Sequence, residues 1–192
     1  MINLGILASH QGTNFQAIID ACNTGRLRAK PVLAISNNSR STALKRAQKA
    51  GIVTRHLSLQ THPQPEALDR AILDCLLEAD VKLVITAGYL KKLGPMTLNK
   101  YHRRIVNVHP SLLPKYGGQG MYGMNIHRRV IENRDPETGI TIHWVDADYD
   151  TGPIIRQQII PVNNNDTAES LAARILIKEH ELLINTLQQL TD

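Results

Sequence analysis

Short apolar runs alternating with amphipathic stretches fill the first half of this 192-residue chain, and that alternation limits it to few folds. Residues 2–8 read as a buried strand, and a polar turn over 9–14 leads into a helix whose stripe is Phe15, Ile18, Ile19 and Cys22, closed by Gly25. A second strand over 31–36, a polar loop and a helix over 42–50 stopped by Gly51 repeat the unit. A weaker strand over 54–57 precedes a helix over 65–78 with Pro65 in its first turn, and residues 83–86 give a fourth strand. Strands spaced by helices in this way form right-handed crossover units. The predicted fold is therefore α/β: one domain over 1–192 with a mostly parallel twisted sheet and helices on both faces, a Rossmann-like arrangement.

The fifth strand ends in Ile105-Val-Asn-Val-His-Pro-Ser-Leu-Leu-Pro114. Alternation puts Asn107 and His109 on one face, and Pro110 stops the ladder behind them. An amide and an imidazole at the carboxyl end of a strand stand where open α/β sheets bind ligands. Beyond them, residues 115–125 carry four glycines and little periodicity, as a lid or loop would, and residues 126–133 return to helix. Alternation over 140–145 and a strand over 154–162, joined by an acidic turn, predict an antiparallel extension. Asp166 or Thr167 caps a last helix with Leu171, Ile175, Leu182, Leu183 and Leu187 as its stripe.

Composition removes several classes of function. Cys22 and Cys75 lie in helical patterns without neighbours at metal-ligand spacing, so they read as packing residues, and no metal site is expected. The net charge of +5 suits an anionic ligand, but one Phe, one Trp and five Tyr do not make the aromatic-laced basic stripe of a nucleic-acid binder. The basic group at Lys91, Lys92 and 100–104 reads as solvated surface. No apolar run approaches the roughly 20 residues of a membrane span, and residues 1–8 lack a basic n-region, so a cytoplasmic chain is expected.

Asn107 and His109 acquire a chemical partner in the turn Asp146-Ala-Asp-Tyr-Asp150-Thr-Gly-Pro153. An amide donor and a cationic imidazole can both address a developing oxyanion, and a carboxylate beside the imidazole would keep it protonated near neutral pH. His143, alternating within a strand, reads as a satisfied core histidine. By residue type alone, Asp150 is a turn former as readily as a catalytic acid, and Gly12-Thr13-Asn14 is a helix cap as readily as an anion turn.

The motif Asn107-Val-His-Pro-Ser-Leu-Leu-Pro114, with Asp150-x-Gly-Pro153 behind it, resembles the folate-dependent formyltransferases. The likeness runs from residue 2 through Gly12-Thr-Asn-Phe-Gln-Ala-Ile18, Ala87-Gly-Tyr-Leu-Lys91 and Lys178-Glu-His180, with a layout nearest the glycinamide branch of that family. The resemblance implies formyl transfer from 10-formyltetrahydrofolate to the amine of glycinamide ribonucleotide, in purine biosynthesis, without a metal and by a monomer or homodimer. It implies that Asn107 and His109 stabilise the tetrahedral intermediate, that His109 is the general acid, and that Asp150 raises its pKa. Gly12, Thr13 and Asn14 would hold the substrate phosphate, and Glu179 its ribose or glycinamide end. Leu90, Lys91, Lys92 and Leu93, with Asn107, would line the folate pocket, the backbone of 90–93 reading the pterin and Lys91 meeting the glutamate tail. His10 and Gln11 stand where the family's phosphate turn usually carries Gly and Asn. Related hydrolases of formyltetrahydrofolate would be expected to carry a regulatory domain ahead of the first strand, and sugar-nucleotide N-formyltransferases further carboxyl-terminal structure. A catalytically silent binding paralogue is the alternative outside enzymes.

Overall fold

The computed structural model describes residues 1–191 and places seven strands in one sheet of order β3-β2-β1-β4-β5-β6-β7. In chain order the elements are β1 (Ile2–Leu7), α1 (Thr13–Asn23), β2 (Ala29–Ser36), α2 (Thr42–Lys49), β3 (Val53–His56), α3 (Pro65–Glu78), β4 (Leu83–Thr86), α4 (Pro95–Lys100), β5 (Ile105–His109), α5 (Met124–Glu132), β6 (Glu137–Trp144), β7 (Ile154–Pro161) and α6 (Ala168–Thr191). The β1, β2, β3, β4 and β5 ladders are parallel, whereas β5–β6 and β6–β7 are antiparallel. The predicted α/β architecture, with its antiparallel extension, is the one observed.

The buried strands carry near-continuous apolar runs because helices cover both faces. One face packs Leu4, Ile6, Ile85 and Val106 against Phe15, Ile126, Leu171 and Leu183 of α1, α5 and α6. The other sets Leu7, Val84 and Ile105 against Ile72 and Leu76 of α3. The predicted stripe of α6 is buried throughout, and Thr167 supplies its cap by accepting from the Ser170 N–H at 3.2 Å.

The short helix α4 has no counterpart among the predicted elements. Its first turn is held from α3: Asp69, 3% exposed, accepts from the N–H groups of Met96 (2.7 Å) and Thr97 (3.1 Å) and from the Thr97 hydroxyl (2.6 Å). A cap delivered from a distant helix leaves no mark in local periodicity. Strand β6 starts three residues before the expected alternation, at Glu137, because β7 pairs with it back to Pro161. No described helix is long and apolar enough to cross a membrane.

Strand order reverses between β1 and β4, so the turns leaving their carboxyl ends diverge and open a crevice there. Residues 9–14 leave β1 at that point, 87–93 leave β4, and His109 closes β5 beside them.

Candidate active site

These three strand ends, with α1, α6, the glycine-rich loop and the acidic turn, wall a cleft of about 830 Å³. It brings together every residue singled out from the sequence: Gly12, Thr13 and Asn14; Leu90, Lys91, Lys92 and Leu93; Asn107, His109 and Asp150; and Glu179.

Parallel pairing of β4 with β5 sets Thr86 beside Asn107, and antiparallel pairing of β5 with β6 sets His143 opposite it. The Thr86 hydroxyl donates to Asn107 Oδ1 at 2.8 Å, which fixes the amide with Nδ2 toward His143 Nε2 at 3.0 Å. His143 Nδ1 faces the Trp144 carbonyl at 2.9 Å, an acceptor only, so in the neutral ring Nδ1 carries the proton and Nε2 accepts from Asn107, while only the charged ring donates toward Asp150. His143 is thus buried and satisfied, as its sequence pattern predicts. Its satisfaction nevertheless runs through Asn107, and its Nε2 lies 3.6 Å from Asp150 Oδ1. Periodicity alone leaves that role out. The β5–β6 register was the signal that would have found it.

His109 is 5% exposed. Its Nδ1 lies 3.4 Å from Asp150 Oδ1, and its Nε2 donates to the Tyr116 carbonyl at 2.7 Å. Asp150 reaches this position from a left-handed backbone conformation (φ 60°) in the turn between β6 and β7. That turn closes tightly at Gly152, where a Cβ would stand 1.8 Å from the Trp144 carbonyl oxygen. The other carboxylate oxygen of Asp150 accepts from the Gly118 N–H at 2.9 Å, so the glycine-rich loop is tied to the pair from above.

The electrostatics differ from expectation. Burial pushes the His109 imidazole below its ordinary value, and Asp150 and the Tyr116 carbonyl, which pull it up, do not overcome that; His143 lowers it further. Asp150 therefore pulls the pKa up without offsetting burial. Burial pushes Asp150 itself up, but the rings of His143 and His109 and the Gly118 N–H leave it below the usual carboxylate range.

Glu179 is 7% exposed, and burial pushes its carboxyl up to about 7 against the lowering effect of Asn14. Among the described residues neither neighbouring cation on α6 pairs with it: Lys178 reaches Glu181 and Arg174 reaches Asp166. Glu179 Oε2 instead accepts from Asn14 Nδ2 at 3.1 Å, while Asn14 Oδ1 is buried without a partner. An unpaired acceptor beside a half-ionised carboxyl fits a ligand bearing hydroxyl or amine donors.

Leu90 also lines the cleft. Its N–H donates to Ser9 Oγ at 2.9 Å and its carbonyl accepts from the Tyr149 hydroxyl at 3.5 Å. Leu93 is buried in the core. Lys92 is tied to Asp148 at 2.7 Å and lies over the Tyr149 ring, whereas Lys91 is exposed and lines the cleft.

The formyl transferase family model matches residues 2–187. The chain belongs to the formyl transferase family. Phosphoribosylglycinamide formyltransferase of Escherichia coli (strain K12) is 36% identical over 181 residues, covering 94% of this chain and 83% of that protein. The chloroplastic phosphoribosylglycinamide formyltransferase of Vigna unguiculata is 38% identical over 190 residues; the alignment covers 98% of this chain but only 61% of that relative. Among solved structures, glycinamide ribonucleotide transformylase 1 of Geobacillus kaustophilus superposes with a TM-score of 0.91 at 35% identity, covering 99% of this chain and 98% of that one.

Proposed function

We propose that this formyl transferase moves the formyl group of 10-formyltetrahydrofolate to the amine of glycinamide ribonucleotide, with residues 1–192 acting as one domain. The reading rests on one observation: a single cleft is lined together by an anion-suited helix start, by Asn107, His109 and Asp150, and by residues 90–93.

The N–H groups of Gln11 and Gly12 and those at the start of α1, which lack intrahelical partners, receive the substrate phosphate. Asn14 Oδ1 and Glu179 take donors from the ribose or glycinamide end. Lys91 and the neighbouring backbone hold the folate. Asn107 spends one amide N–H on His143 and keeps the second for the oxyanion that develops as the amine attacks the formyl carbon. For the imidazole to donate there as well, one of its present partners yields. Releasing the neutral Tyr116 carbonyl leaves Nδ1 beside Asp150, and the developing negative charge then favours the imidazolium that burial opposes in the resting site and that pairs with the carboxylate once formed. No metal enters this scheme.

Incubation with both substrates tests it. Formylated product is expected only when amine and formylfolate are both present. Formate release without the amine would point to a hydrolase, and no turnover with either would overturn the reading.

A further inference from the structure

The turn over residues 9–14 departs from the family pattern at His10 and Gln11, and helix α2 packs against it. Each carbonyl from Ser9 to Gly12 is tied back into the protein. That of Ser9 accepts from Asn38 Nδ2 (3.3 Å), that of His10 from the Ala43 N–H (3.0 Å), that of Gln11 from Arg46 Nε (2.9 Å), and that of Gly12 from the Gln16 N–H (2.9 Å). In a trans peptide the carbonyl and the next N–H point in opposite directions. Holding the carbonyls of His10 and Gln11 against α2 therefore turns the N–H groups of Gln11 and Gly12 away from it, on the side where these residues line the cleft.

Arg46 is the one side chain in this set that reaches the apex of the turn. It does so as a fork: while Nε donates to the Gln11 carbonyl, Nη1 donates to Gln16 Oε1 at 2.9 Å, and Gln16 Nε2 in turn donates to Asp20 at 2.8 Å on the same helix. One guanidinium thus joins α2, the apex of the turn and the first turn of α1. Gln11 enters this arrangement through its backbone carbonyl and not through its side chain.

We infer that Arg46 is a positioning residue for the phosphate turn: by holding the Gln11 carbonyl and Gln16 together, it orients the peptide N–H groups that receive the substrate's phosphate. The inference rests on the proposed function above, and phosphate recognition is the quantity that separates the two. The planar fork matters more than the charge, because a lysine ammonium cannot span both acceptors in the same geometry.

The test compares wild type, Arg46→Ala and Arg46→Lys on glycinamide ribonucleotide and on its 5′-dephosphorylated nucleoside, with folate KM and thermal midpoint measured alongside. Arg46→Ala is expected to raise KM for the phosphorylated substrate about tenfold, the scale of one charged hydrogen bond. Folate KM, and kcat/KM on the dephosphorylated substrate, stay unchanged. Arg46→Lys follows the alanine variant. Full recovery by lysine would assign the effect to charge alone and overturn the inference, as would an unchanged KM in Arg46→Ala while wild type still prefers the phosphate. A wild type indifferent to the phosphate would overturn the phosphate-turn reading and the role of Arg46 with it. If Arg46→Ala fails to fold, Gln16→Leu removes only the second acceptor, and it must raise the same KM by a smaller factor for the inference to stand.

Discussion

His109 Nδ1 lies 3.4 Å from Asp150 Oδ1, yet the imidazole is held below its ordinary pKa because the ring itself is shut away from water. In this site the carboxylate moderates a desolvated ring, and it makes the cation accessible once the substrate supplies negative charge. His109→Ala and Asp150→Asn are each expected to lower kcat by ~100 to 1000-fold, the usual cost of losing one contributor to oxyanion stabilisation, with circular dichroism unchanged. The electrostatic part has its own readout. Removing the Asp150 charge takes away an upward influence, so the His109 titration followed by NMR moves further down in Asp150→Asn; an upward movement would contradict the arrangement.

His143 supplies the acceptor that orients Asn107. His143→Phe leaves Asn107 Nδ2 without that acceptor and costs about 1–3 kcal/mol of stability, measured by urea unfolding. Turnover falls with it, because the amide is released from its fixed orientation. His143→Gln keeps a side-chain acceptor and is expected to recover part of kcat, whereas equal loss in both variants would reduce His143 to a packing residue.

Gly12 opens α1 at φ 66°, and a Cβ there would stand 2.7 Å from Ala43 Cβ and 3.0 Å from its Cα. Gly12→Ala therefore meets backbone strain and a collision with α2 together, and it is expected to raise KM for the phosphorylated substrate while leaving folate KM alone. Gly51→Ala is the matched control. It shares the positive φ (70°) but has nothing within 4 Å, so it incurs the strain, about 1 kcal/mol, without a change in KM.

The strands and longer helices were legible because burial imposes period: β1 is apolar apart from Asn3 and Gly5, β4 apart from its terminal Thr86, and the stripe of α6 recurs at helical spacing. Asn107 and His109 were legible because they interrupt such a run at its end. What escaped the pattern depends on contacts between distant segments. Helix α4 is capped by Asp69 from α3, Arg46 reaches the phosphate turn across the α1–α2 packing, and His143 enters the site through sheet register. The protonation of His109 escaped for a related reason. The chemistry of an imidazole and the motif Asp150-x-Gly-Pro153 name the carboxylate, but only the depth of the site shows that desolvation outweighs it.

Glu179 carries the clearest link between the site and stability. Its folded pKa of about 7 stands above the ordinary 4.5, so the folded protein binds the proton more tightly than the unfolded chain does. The sign follows from linkage: between pH 4.5 and 7 the native state holds more protons, so this group's contribution is fully present below 4.5 and is lost as pH rises through 7. Glu179→Gln, neutral at every pH and able to keep a side-chain oxygen toward Asn14 Nδ2, is therefore expected to be more stable than wild type above pH 7. The gain is at most roughly 3 kcal/mol, and it shrinks toward zero below pH 4.5. The same variant loses affinity for the glycinamide substrate, because a carboxylate accepts donors from a hydroxyl or amine more strongly than an amide does. Urea unfolding at pH 5 and pH 8, beside KM at pH 8, checks both halves, and a variant that is no more stable at pH 8 than wild type would contradict the buried, half-ionised state of Glu179.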